Sequence, residues 1–146
     1  MPTTIRLFAT VVILTAAAIP ARAADACSLL TTAQVTAAMG TPVKPPTPGP
    51  KNCVWSAVNG KGNTYLSLRD TTGYDKFKST AQMTGQLVPV SGLGDDAFFV
   101  GEGNDPTLYV KKGSTVALLR SRITGNTAAQ NQAIEKTLAA QFASQL

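Results

Sequence analysis

Hydrophobic and polar positions recur along this chain with two periods, and the changes of period divide it into elements. Leu66 and Leu68 alternate with Tyr65, Ser67 and Arg69. A period of two sends the leucines to the buried face of a strand and the polar side chains to the other face. Leu108 and Val110 alternate in the same way with Tyr109, and Val116 and Leu118 with Ala117 and Leu119. Strands are therefore predicted over 53–58, 64–69, 97–101, 107–112 and 114–120. The first two are separated by N-G-K-G-N, a hairpin signal because Asn and Gly supply positive φ angles. E-G-N-D-P and K-K-G join the later strands, and Leu87–Val90 reads as a brief extended segment leading to S-G-L-G-D-D. Where the period lengthens, helices are predicted. Tyr74, Phe77 and Ala81 stand at i, i+3 and i+7 of a helix over 71–83, with Tyr74 and Phe77 in the core. Ile134, Leu138, Phe142 and Leu146 recur every four residues and form one stripe to lay on the sheet.

Helix boundaries are written in the capping residues. Thr31-x-x-Gln34 and Thr127-x-x-Gln130 both fit a capping box, in which hydroxyl and amide satisfy each other's backbone donors. The first box opens a helix over 32–39 with Val35, Ala38 and Met39 on its buried side. Gly40 ends it where a left-handed backbone carries no Cβ penalty. Pro42, Pro45, Pro46, Pro48 and Pro50 forbid helix and disfavour an interior strand between 41 and 52. This stretch reads as an extended surface crossing. The order α-β-β-α-β-β-β-α with hairpin-length links predicts an α+β domain, a mostly antiparallel five-stranded sheet with helices packed on one face.

Residues 1–23 carry an apolar run from Leu7 to Ile19, then Pro20 and Ala21-Arg22-Ala23. The run is short for a membrane span and ends in a small-residue cleavage pattern, so a cleaved signal peptide is expected, leaving 24–146 as a single domain. An uncleaved anchor is the alternative. The expected location is periplasmic or secreted, with no stable membrane insertion after cleavage. In such a compartment the two cysteines, Cys27 and Cys53, are expected to pair. Their bridge closes a loop for which chain entropy gives about 3.5 kcal/mol. Lipidation of Cys27 is the competing expectation, opposed by charged Asp25 where small apolar residues are wanted. After cleavage eleven basic residues face eight acidic ones. That mild excess favours contact with anionic envelope polymers and does not define a nucleic-acid binder.

The chain contains no histidine, which excludes Ser-His-Asp, Cys-His and His-based metal chemistry. No S-x-x-K stands in residues 24–146. The adjacent Asp95 and Asp96 alternate faces if they lie on a strand, so they do not form a glycosidase pair. Gly92 and Gly94 are expected to permit a tight turn, with Asp95 bonding its own backbone. A weak calcium site from Asp95, Asp96, Glu102 and Asp105 requires their loops to converge. No cofactor or metal is expected. Candidate binding residues are Asp95, Asp96, Trp55 and Tyr109.

C-S-L-L-T-T-A-Q-V-T-A-A-M-G-T-P-V, then C-V-W, V-S-G-L-G-D-D-A-F-F and L-Y-V-K-K-G-S-T-V, resemble a family of small exported bacterial proteins of unknown function. That family has a C-x-L-L-T…G-x-P start, a second Cys in the first strand and a G-L-G-D-x-A motif. Here Gln34 replaces a common Glu. The resemblance implies a secreted α+β domain and no activity. Three functions follow as expectations: a non-catalytic envelope module that binds an envelope protein or polymer, a small inhibitor acting through Lys44–Lys51, and a hydrolase that works without histidine. The first requires an apolar patch or cleft that remains after both helical stripes are buried.

Overall fold

The structure, a computed structural model, describes residues 25–101, 103 and 105–146; the expected signal peptide and Glu102 lie outside the described residues. A 3-10 turn at Ala26–Ser28 leads into helix α1 (Thr32–Met39). Strands β1 (Thr47–Pro48), β2 (Asn52–Ser56) and β3 (Gly62–Asp70) precede helix α2 (Tyr74–Met83). Then come β4 (Leu87–Val90), β5 (Asp96–Val100), β6 (Thr107–Lys112), β7 (Thr115–Ile123) and helix α3 (Ala128–Phe142), followed by a 3-10 turn at Ala143–Gln145. Both capping boxes form: the Thr31 N–H donates to Gln34 Oε1 at 2.8 Å and the Thr127 N–H to Gln130 Oε1 at 2.8 Å. Gly40 ends α1 at φ 66°.

The sheet has seven strands rather than five, all antiparallel, in the order β1-β2-β3-β7-β6-β5-β4. Both strands beyond the expected five are edge strands carrying a proline, Pro48 in β1 and Pro89 in β4, the latter matching the extended segment read at Leu87–Val90. Proline is tolerated there because an outward position needs no ladder N–H. The Cys27–Cys53 disulfide forms and ties the turn before α1 to β2.

Placing all helices on one face is also corrected. One face of the sheet carries Cys53, Trp55, Leu66, Leu68, Ala97, Phe99, Leu108, Val110, Ala117 and Leu119, packed with Val35 and Met39 of α1 and Leu138, Ala139 and Phe142 of α3. The other carries Phe98, Val116 and Leu118, packed with Tyr74 of α2. Strands β3 and β4 are separated in the sheet by β7, β6 and β5, so the connection between them must cross three strands. Helix α2 makes that crossing on the face that α1 and α3 leave open.

The stripe of α3 is rotated from its apolar reading. Leu138 and Phe142 are buried and Ile134 and Leu146 only partly, while Asn131 and Glu135 are buried. The reason lies in the ladder. Leu108 pairs with Leu119, and continuing that register sets Pro106 opposite Ser121. Glu135 takes the strand donor that this ladder leaves unpaired: its Oε1 accepts the Ser121 N–H at 2.7 Å, and the Ser121 hydroxyl lies 3.0 Å from that of Thr64. Glu135 Oε2 has no hydrogen-bond partner among the described residues.

Burial pushes the Glu135 carboxyl up from 4.5 to about 8, against the pull of the Ser121 N–H. The folded state therefore holds this proton to higher pH than the unfolded chain, and stability falls as pH rises from about 4.5 to about 8. The slope from one such group is at most about 1.4 kcal/mol per pH unit. Glu135→Gln keeps an acceptor for Ser121 and removes the charge, so denaturant melts across that window are expected to lose this slope and to show the variant the more stable protein at pH 8. Equal slopes in both proteins would contradict the assignment.

Candidate functional site

Register across the sheet assembles the face beneath and beside α2. Asp96, Lys111, Val116 and Arg69 align in one row across β5, β6, β7 and β3. Pro89, Phe98, Tyr109, Leu118, Ser67 and Asn52 align in the next, and Arg120, Tyr65 and Val54 in a third. The half near β5 and β6 is aromatic. Phe98 and Tyr109 stack with ring centroids 5.3 Å apart, Tyr74 lies 5.6 Å from Phe98, and Phe77 lies 4.9 Å from Tyr109. The half near β3 is polar, carrying Tyr65, Ser67 and Arg69 on this face.

Helix α2 is held lightly. Only Tyr74 and Ala81 of its residues are buried, and Phe77, expected in the core, is 38% exposed. Asp96 is its anchor: Oδ2 accepts the Tyr74 hydroxyl at 2.9 Å and the Lys78 ammonium at 2.6 Å. Burial raises the Asp96 carboxyl, but the Lys78 and Tyr74 bonds pull further, so it ionises below its ordinary 3.8. Burial and the Asp96 bond together raise the Tyr74 phenol well above its usual range.

Between α2 and the sheet is a hollow of about 190 Å³ walled by Tyr74, Phe77, Tyr109, Val116 and Leu118, with Arg69 at its rim. A second, larger hollow of about 500 Å³ lies on the other side of Arg69, reaching Asp25, Lys51 and Ser114. The Arg69 guanidinium has no ion-pair or hydrogen-bond partner among the described residues. The neighbouring Asp70 carboxylate is turned to Thr72, whose N–H it accepts at 2.8 Å, and hydrogen bonding from the Thr72 hydroxyl first and this N–H second holds its pKa down. Burial raises the Tyr109 phenol while Arg69 and Arg120 draw it down, so both guanidinium charges are felt inside the hollow.

Of the four candidate residues, Tyr109 lines the smaller hollow, and Asp96 lies outside its lining and holds α2 in place. Trp55 does neither: it is fully buried on the opposite face and cannot meet a partner. Asp95 is structural. Its Oδ2 accepts the Gly113 N–H at 2.7 Å from the turn between β6 and β7, instead of bonding its own segment. The preceding Gly94 is required, since a Cβ there would stand 2.4 Å from the Lys111 carbonyl oxygen. Asp105 pairs with Arg122. The acidic side chains therefore diverge, and no group of three or more metal-ligating side chains lies together among the described residues. No helix among them is long and apolar enough to cross a membrane.

A polar hollow of about 500 Å³ near the start of α3 is lined by Asn63, Asp105, Arg122, Asn126 and Asn131, and its charged groups already pair with each other. Arg69 escaped the sequence reading although its signal was present: alternation with Leu66 and Leu68 places it on the outer face with Tyr65. No family model, curated protein or solved structure matches the chain.

Asp96→Ala is expected to lower stability at pH 7 by about 1 kcal/mol, the scale of a half-exposed ion pair. Because the Asp96 pKa is depressed, its contribution is present above 3.8 and is lost as pH falls below that value. Melts of wild type and variant should converge toward pH 2; an undiminished gap there would contradict the anchor.

Proposed function

We propose that this chain is a non-catalytic exported binding module that holds an envelope component on the α2 face of its sheet, in the groove around Arg69. The observation that carries this reading is an unpartnered guanidinium at the rim of an aromatic-walled hollow, on the one sheet face that the helices cover incompletely. Concave sites with apolar walls and a few convergent polar groups are the usual form of a ligand site. Separate engagement of Asp95, Asp96 and Asp105 by Gly113, Lys78 and Arg122 supports binding over acid–base chemistry. The disulfide agrees with an oxidising compartment. Kinship with the small exported family named above remains part of this proposal.

A second reading, an inhibitor of an exported enzyme, has one observation in its favour. The proline-rich segment is largely exposed and is pinned at Val43–Ala57, Thr47–Val54 and Cys27–Cys53. Replacing Lys44–Lys51 with a Gly/Ser linker tests it, since inhibition that survives the replacement would remove this reading.

Native mass spectrometry of the untagged protein, gently purified from the envelope of its own cells, tests the primary reading. Extra mass is expected on the wild type and is expected to be lost in Arg69→Glu. A bare chain in both, or a retained species that ignores Arg69, would overturn it.

A further inference from the structure

We infer that the hollow between α2 and the sheet takes an amphiphilic monocarboxylate, its apolar group against Phe77, Tyr109 and Leu118 and its carboxylate on Arg69. This rests on the reading that the α2 face is the binding surface. The apolar part follows from the rings and aliphatic side chains of the walls, among which the Tyr74 hydroxyl is spent on Asp96. About 190 Å³ admits one ring or a short chain, less than the ~300–1,000 Å³ of sites for drug-sized ligands.

The anionic part follows from a census of cations on this face. Lys78 bonds Asp96, and Lys111 lies 5.2 Å from the Tyr74 ring centre. Arg122 pairs with Asp105, and Arg120 lies over the Tyr65 ring and 3.9 Å from Asp105. Arg69 alone among these five lacks an anion or an aromatic ring. A guanidinium matches a carboxylate with two parallel hydrogen bonds. Arg69 is the one cation in the lining of this hollow, and a second negative charge there meets the Asp70 carboxylate, also in the lining. One charge and one apolar group is therefore the pattern the site selects. A free carboxylic acid and the C-terminal residue of a polypeptide both present it.

The test is an amide NMR titration with 3-phenylpropanoate, its neutral primary amide, and N-acetyl-glycyl-phenylalanine with a free C-terminus. Saturable shifts confined to residues 69–77 and 109 are expected, with the phenylpropanoate bound at least tenfold more tightly than its amide. Arg69→Gln should bring the acid down to the affinity of the amide and leave the amide unchanged, whereas Phe77→Ala should weaken both. Both positions are exposed, and unchanged thermal melts will show that the variants fold. Binding of the dipeptide as tight as that of phenylpropanoate assigns the source to a polypeptide C-terminus; binding of the small acid alone assigns it to a free acid. Equal affinity for acid and amide, indifference to Arg69→Gln, or no saturable shift overturns the ligand class. If the probes fail while the species retained from the envelope still depends on Arg69, the ligand class falls and the binding face stands; if that dependence is also absent, both fall.

Discussion

A seven-stranded sheet has two faces to cover, and the described residues supply three α-helices with which to cover them. Alternation along β7, the central strand, states the constraint: Ala117 and Leu119 point to one side, Val116 and Leu118 to the other. Helix α1, whose leading turn the Cys27–Cys53 bridge ties to β2, and helix α3 close the first side over Trp55, Phe99 and Leu108. Among the described helices the second side receives only α2, whose position follows from the need to carry the chain across β7, β6 and β5 to the far edge. Apolar area that is not removed from water there contributes nothing to folding and is free for another use.

The two faces handle polarity differently as a result. On the closed face, a carboxyl sits in the core on the Ser121 N–H that the β6–β7 ladder stops short of, and burial raises its proton affinity. On the open face, cations stay near water, where rings and aspartates occupy four of them and leave Arg69 to itself. Position relative to solvent thus separates a structural polar cluster from a candidate recognition surface built from the same residue types.

Much of the fold was legible because it is local. Both capping boxes, Gly40 as a helix stop, the N-G-K-G-N turn and the period-two runs were read where they occur, since each depends on residues within a few positions of one another. What escaped was non-local. Edge strands β1 and β4 contain prolines, and their place in the sheet is set only by their partners. The burial of Glu135 depends on a register set by Leu108 and Leu119. The side of the sheet that α2 takes depends on strand order, which alternation does not encode. Site residues divided in the same way: Tyr109 lines the hollow and Asp96 holds α2, Asp95 and Trp55 do neither, and Arg69 gains its meaning from four neighbouring cations whose partners lie far away in sequence.

Unequal covering of the two faces is open to direct measurement by native-state amide hydrogen exchange, which reports the free energy of local opening residue by residue. Amides of α2 between Tyr74 and Met83 should exchange through a low-energy local opening, while those of α3 and β7 exchange only through global unfolding. Protection of α2 equal to that of α3 would mean that both faces are closed alike, and would contradict the account of an open, lightly covered binding face.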